Sequence, residues 1–156
     1  MKLAHTAKIR VFWAHEENEA EVLNGLKLLA PFDISEEKIA IKRQNALGFN
    51  DRKITVFEIQ LSKEKHVNAF IDNLFGKLQD SQRQMLLRQL ESRVDGDANF
   101  YVRLEKELLI KNKDLIITDG GNCYHLRIKI AAYPSTREAA VKIVRETLER
   151  TTNIKC

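Results

Sequence analysis

Cysteine, proline and glycine are scarce in this chain of 156 residues, which contains two, two and six of them. The two cysteines, Cys123 and Cys156, form no CxxC motif and no cysteine–histidine cluster with the spacing of zinc ligands. This usage argues against a disulfide scaffold. The sequence therefore predicts a protein of the reducing cytoplasm.

Long apolar runs are missing as well. No stretch approaches the roughly 20 apolar residues that a membrane-spanning helix needs. The first 13 residues carry Lys2, His5, Lys8 and Arg10, so no secretory signal is expected. Hydrophobic residues make up 44% and charged residues 31% of the chain, a globular composition. We expect one domain over residues 1–156.

Charge is unevenly distributed along the chain. The net charge is +4, and residues 1–100 contribute none of it because their acidic and basic residues balance. The excess lies entirely within residues 101–156. A basic surface of this kind suits a polyanionic partner such as RNA, although a modest excess can also serve solubility alone.

Alternating apolar and polar side chains predict half-buried strands over residues 7–13, 54–61 and 99–104. Ile39 and Ile41 suggest one more short strand, joined to the 54–61 strand by a turn over residues 46–53.

The clearest predicted hairpin lies near the C-terminus. It consists of a strand over Leu115–Thr118, a turn over Asp119–Asn122 and a second strand over Cys123–Tyr133. Gly120 and Gly121 are expected to supply positive φ in the turn.

Apolar residues at helical spacing predict helices over residues 16–30, 63–78 and about 81–94, and one after Pro134. Residues 105–111 are ambiguous and can form one helical turn. The expected N-caps are Ser62 for the second helix, Asp80 or Ser81 for the third, and Ser135 or Thr136 for the last.

One-sided alternation together with amphipathic helices predicts an α+β fold. The sheet is expected to be mainly antiparallel, with helices packed on one face, in the rough order β-α-β-β-α-α-β-β-β-α. Trp13 shares its strand phase with Ile9 and Val11 and is expected in the core. The opposite face of the sheet is then open, at least in part.

Cations and aromatic residues fall on that open face by strand phase. Such a surface suits RNA, because Lys and Arg neutralise phosphates while rings stack on unpaired bases. The alternatives are a merely solvated face, cross-strand ion pairs with Glu58 or Glu105, and a dimer interface. The candidate RNA-binding residues are Arg10, Arg103, Arg127 and Lys129 for phosphate, Lys8 and Arg43 flanking them, and Phe12, Tyr101 and His125 for stacking.

Catalytic motifs are absent from the sequence. His15-Glu16 lacks the second histidine, at position 19, that a helical zinc motif requires. Asp95, Asp97 and Asp119 are expected to be local caps of turns rather than metal ligands. The sequence thus predicts no catalytic residue, no metal site and no cofactor.

The block from Asp119-Gly120-Gly121 to Ala131-Ala132-Tyr133-Pro134, together with the run from Val11 to Glu17, carries a family resemblance. The chain resembles the archaeal family of predicted exosome-associated RNA-binding proteins. The resemblance covers nearly the whole chain. It implies a fold similar to that of the 5S-rRNA-binding large-subunit ribosomal protein, without catalytic residues.

The leading hypothesis is thus a non-catalytic RNA-binding protein that serves as an accessory of the RNA-processing exosome. The alternative is a protein-interaction or homodimerisation module, joined through the open face or an exposed edge strand, without direct RNA contact.

Overall fold

The computed structural model describes residues 2–48 and 52–155. Strands and helices follow one another along this part of the chain as β1 (Ala4–Ala14), α1 (Glu19–Leu28), β2 (Lys42–Leu47), β3 (Lys53–Leu61), α2 (Glu64–Lys77), α3 (Asp80–Arg93), β4 (Asn99–Glu105), α4 (Lys106–Asn112), β5 (Cys123–Ile130) and α5 (Arg137–Lys155).

The strands form one five-stranded sheet in the order β2-β3-β1-β5-β4, and every neighbouring pair is antiparallel. The longest strand, β1, lies at the centre. Its Ile9 is opposite Ile59 of β3 and Leu126 of β5, and all three side chains are buried. This register aligns the apolar positions of neighbouring strands on one face of the sheet.

That apolar face is covered by the helices. Buried residues of all five helices join those of β1, β3, β4 and β5 in one hydrophobic core. The predicted α+β class, with a mainly antiparallel sheet and helices on one face, is confirmed. Trp13 is half-buried and packs against the core, as its strand phase predicts.

Helix α1 approaches the sheet closely at Gly25. The Tyr124 hydroxyl of β5 donates a buried hydrogen bond of 2.7 Å to the Val22 carbonyl. A Cβ atom added at Gly25 would lie 2.1 Å from that hydroxyl oxygen. Glycine is therefore required there by the packing of a helix on a tyrosine, and burial raises the pKa of the Tyr124 hydroxyl.

The predicted C-terminal hairpin is wrong. Residues 115–118 form a short extended segment whose Ile117 makes a single bridge to Leu104, on the outer edge of β4. β5 instead pairs with β1 and β4. Leu115 and Ile117 are buried, so their apolar pattern reflects packing against the core rather than pairing with the next strand.

Smaller corrections concern turns and caps. Ile39 and Ile41 precede β2, which begins at Lys42. Ala46 and Leu47, predicted to lie in the turn, belong to that strand, and residues 49–51 of the turn lie outside the described residues. Of the two glycines after Asp119, Gly121 alone has a positive φ, of 76°.

The expected N-caps meet different outcomes. The N-caps of α2 and α3 are Lys63 and Gln79, and neither side chain makes a capping hydrogen bond. The Thr136 hydroxyl, by contrast, accepts a hydrogen bond from the Ala139 N–H at 3.3 Å, as expected for the start of α5.

Candidate nucleic-acid interface

Two rows of polar side chains cross the face of the sheet opposite the helices. Arg10 of β1 is paired with His125 of β5, which is in turn paired with Arg103 of β4. The adjacent row runs from Lys8 through Arg127 to Tyr101. We call this surface the open face; it also carries Phe12 and Lys129, so eight of the nine predicted RNA-binding residues lie on it.

The strand phase of β1, β4 and β5 produces this grouping. Each strand alternates buried apolar residues with half-buried or exposed polar residues, so every second side chain points away from the helices. Because β5 lies between β1 and β4, the antiparallel register brings cations from three strands side by side. The sheet order is what makes residues distant in sequence contiguous here.

His125 lies at the centre of this positive region. Partial burial lowers the pKa of its imidazole, and the charges of Arg103, Arg10 and Arg127 lower it further. Its ring also lies 5.8 Å, centroid to centroid, from that of Tyr101. A neutral imidazole surrounded by three guanidinium groups is an environment that favours an anion.

Tyr101 is tied to the rim of the face. Its hydroxyl donates a 3.0 Å hydrogen bond to the Asp95 carboxylate, which also accepts from the N–H groups of Asp97 and Asn99. Burial, followed by the hydrogen bond to Asp95, raises the pKa of the Tyr101 hydroxyl. The ring is therefore held in a fixed position beside Arg127, its cross-strand partner.

Acidic partners satisfy only part of the positive charge. Arg10 Nε lies 3.8 Å from the Glu58 carboxylate, and Lys129 Nζ donates to the Asp97 carbonyl. Within the described residues, no carboxylate is within ion-pair distance of Arg103 or Arg127. Glu105, a predicted alternative partner, accepts from the Leu108 N–H at 2.6 Å and caps α4 instead.

Phe12 is the exposed ring on this face. Its side chain is 54% exposed, and its cross-strand neighbour Val56 is buried on the same side of the sheet. The carbonyl of Phe12 accepts a hydrogen bond from Nζ of Lys106, which is buried at the start of α4. The end of β1 is thereby held against α4, with the Phe12 ring directed to solvent.

The alternation of the strands does not reveal the role of Lys106. Its ammonium group also lies 3.1 Å from the Glu17 carboxylate, which accepts from the Ala14 N–H as well. Burial alone raises the pKa of Glu17, but the Ala14 and Lys106 interactions outweigh it, so the net shift is downward. In the sequence, the Glu16-Glu17 pair that follows β1 indicates the start of a helix and not an ion pair with Lys106.

Arg43 is not part of the open face. It lies opposite Phe57 in the β2–β3 pairing, and Phe57 points to the helices. The Arg43 guanidinium carbon lies 4.9 Å from the centroid of the Phe57 ring, and Nη1 lies 2.7 Å from the Glu19 carboxylate. The structure thus separates Arg43 from the other predicted residues.

Two hollows flank the Arg103 and His125 side chains. The first, of about 310 Å³, lies between β1, β5 and the 118–122 turn, and its lining includes Arg10, Phe12 and Gly120. The second, of about 500 Å³, lies toward α3 and includes Arg93. The side chain of Arg93 binds the Asp119 carboxylate at 3.3 Å, a rim contact that no sequence motif indicated.

No group of three or more metal-ligating side chains occurs within residues 2–48 and 52–155. In the same part of the chain, no helix combines the length and apolar character needed to cross a membrane.

Known proteins show clear similarity to this chain. A family model described as RNA binding matches residues 6–131. The RNA-binding protein PAB1135 of Pyrococcus abyssi is 32% identical over 146 residues, which are 94% of each chain.

Solved structures agree in fold. Mth689, a DUF54 protein from Methanothermobacter thermautotrophicus, is 25% identical and superimposes with a TM-score of 0.78 over 94% of this chain and 98% of its own. SSO0741 of Sulfolobus solfataricus, at 20% identity, reaches 0.77 over 97% of this chain and 99% of its own. Because the family model spans most of the chain, this protein belongs to the family described as RNA binding.

Proposed function

We propose that this chain is a non-catalytic, single-domain, cytoplasmic protein that binds RNA on the open face. The observation that supports this most directly is the gathering of Lys8, Arg10, Arg103 and Arg127 on one uncovered face, with Arg103 and Arg127 unpaired by carboxylates among the described residues. Membership of the RNA-binding family agrees with this proposal.

The physical argument rests on two kinds of contact. Guanidinium and ammonium groups bind backbone phosphates and release counterions, which provides affinity without sequence preference. Exposed rings on a sheet provide faces on which unpaired bases stack. The open face offers both, because His125 and Tyr101 lie within the same rows as the arginines, and Phe12 lies two residues beyond Arg10 on the same face of β1.

A paired substitution tests the proposal. In the Arg103→Gln, Arg127→Gln variant, we expect affinity for a labelled RNA oligonucleotide to fall at least about tenfold in fluorescence anisotropy, since even one lost charge-assisted contact costs about 1.5–3 kcal/mol.

The matched control is Lys142→Gln, Arg145→Gln on α5, which removes the same charge from the helix layer. Its affinity should stay close to that of the native chain. Equal losses in the two variants would show that net charge, and not the open face, determines binding.

The resemblance to exosome-associated proteins supports a more specific role. We propose that the chain acts as an accessory of the RNA-processing exosome and shares its fold with the 5S-rRNA-binding large-subunit ribosomal protein. Affinity purification of a tagged chain from nuclease-treated extract should then recover exosome subunits. Recovery of none, with the chain itself intact, would remove this role and leave RNA binding untouched.

A second candidate function is homodimerisation through β2. All six residues of this strand are exposed, and it is a terminal strand of the sheet. In an antiparallel pair of two β2 strands centred on Gln44, Lys42 would oppose Ala46 and Arg43 would oppose Asn45, so like charges would not meet. Light scattering after size-exclusion chromatography distinguishes a dimer from a monomer, and Gln44→Pro should convert a dimer to a monomer.

A further inference from the structure

The first hollow on the open face has walls of different chemistry. His125 forms its floor, and the register places Arg10 and Arg103 on either side of it. These two arginines stand two strand spacings apart, roughly 10 Å. Phe12 and the turn that contains Gly120 and Gly121 also line it.

Each wall matches a different part of a nucleotide. The arginines supply donors that suit a phosphate, and Arg103 has no carboxylate partner among the described residues. Phe12 and His125 supply ring faces that suit a base. The volume of about 310 Å³ falls at the lower end of the range for small-ligand sites, about 300–1,000 Å³.

The glycine wall adds a steric argument. A Cβ atom added at Gly120 would meet nothing within 4 Å, so the absence of a side chain there is not required by the packing of the protein itself. Its backbone φ is also outside the positive range that only glycine adopts readily. Gly120 lines the hollow, so the lack of a side chain leaves the turn backbone accessible to a ligand there.

We propose that this hollow holds one unpaired nucleotide of a single-stranded RNA, with its phosphate between Arg10 and Arg103 and its base against Phe12 and His125. The inference rests on the proposed RNA-binding function and adds the class of RNA. A base within a duplex is stacked and paired, so its ring faces cannot enter the hollow. Duplex RNA would contact the arginines through phosphates alone.

Gly120→Leu tests the inference because it adds a bulky side chain to the lining of the hollow without altering charge. The control is Gly76→Leu in α2, where an added Cβ also meets nothing within 4 Å and the helix lies on the other side of the sheet. Binding of a labelled single-stranded oligonucleotide and of a duplex of equal length is measured by anisotropy. Circular dichroism verifies that both variants fold.

We expect the native chain to bind the single strand at least fivefold more tightly than the duplex. Gly120→Leu should weaken single-strand binding about tenfold and leave duplex binding unchanged, while Gly76→Leu should change neither.

Equal affinity for the two RNAs, or an unchanged single-strand affinity in Gly120→Leu, overturns the nucleotide site while the open-face proposal stands. Failure of the native chain to bind either RNA overturns both proposals together.

Discussion

Lys106 shows how a single buried charge can shape an exposed surface. Its ammonium group joins the Phe12 carbonyl and the Glu17 carboxylate, with the side chain 1% exposed. A buried ion of this kind is tolerable only when its hydrogen bonds are satisfied. The position of Phe12 on the open face therefore depends on a lysine that is itself buried.

Lys106→Met should lower the free energy of unfolding by about 3 kcal/mol, because removal of one member of a buried pair leaves Glu17 without its counterion. Chemical denaturation measures the change. Lys111→Met, in the same helix, provides the control, since its side chain is 71% exposed and its ion pair with Glu107 is 4.0 Å long. That variant should lose less than about 1 kcal/mol.

His125 predicts a pH dependence of RNA binding. In the free protein, burial and the three neighbouring arginines hold its pKa below the usual value of about 6.5. A bound phosphate would raise that pKa, so RNA binding is coupled to protonation of His125. This coupling acts as the pH falls from about 7.5 toward the lowered pKa. Affinity should therefore rise over this range.

Anisotropy titrations at pH 7.5 and pH 5.5 measure the effect, with His125→Gln as the comparison. The substituted chain should lose most of the pH dependence, and its affinity at pH 7.5 should also fall by about fivefold or more because the imidazole no longer stacks on a base. A native affinity that is the same at both pH values would argue against a phosphate beside His125.

The face of the sheet on which a side chain lies is predictable where the strand alternates clearly. Arg10, Arg103 and Arg127 lie on the face that this alternation indicates. Arg43, predicted to flank the open face, lies on the other side of the sheet, and the exposed β2 strand has no apolar alternation from which its side could be predicted. Its side depends on pairing with Phe57, which is long-range information that one strand's sequence lacks.

Among elements, the predicted hairpin failed for a reason of topology. Neighbours in sequence usually pair, and the Asp119–Asn122 turn has the composition of a hairpin loop. In the structure, β5 instead lies between β1 and β4, and the 115–118 segment pairs at the outer edge of β4, where Thr118 N–H donates to the Arg103 carbonyl at 2.9 Å. Local turn chemistry alone could not distinguish these two arrangements.

The contact between α1 and β5 predicts opposite effects for one substitution at two glycines. Gly25→Ala places a methyl group against the Tyr124 hydroxyl, so we expect a loss of about 1–3 kcal/mol in unfolding free energy from overpacking. Gly76→Ala meets no neighbour within 4 Å and should gain about 0.5–1 kcal/mol, because alanine favours the helix.

Thermal and urea denaturation of the two alanine variants measure these changes. Similar effects of the two substitutions would indicate that α1 does not approach Tyr124 as closely as described. Tyr124→Phe combined with Gly25→Ala should recover part of the loss, since it removes the oxygen atom that lies nearest to the added methyl group.

For the molecule as a whole, salt dependence distinguishes local contacts from total charge. If four open-face cations each bind a phosphate of a single strand, the logarithm of the association constant should fall with the logarithm of salt concentration with a slope of about −3. Arg103→Gln, Arg127→Gln should reduce the slope by about 1.4, while Lys142→Gln, Arg145→Gln should leave it unchanged.

The two edge strands of the sheet differ in what lies beside them. The outer edge of β4 is occupied by residues 116–118, whereas β2 has no neighbouring strand beyond it within the described chain. Should a second copy add antiparallel to β2, the twofold axis would stand perpendicular to the sheet. The open faces of the two subunits would then point in the same direction on a continuous ten-stranded sheet roughly 45 Å across. One RNA strand could contact both subunits along this span.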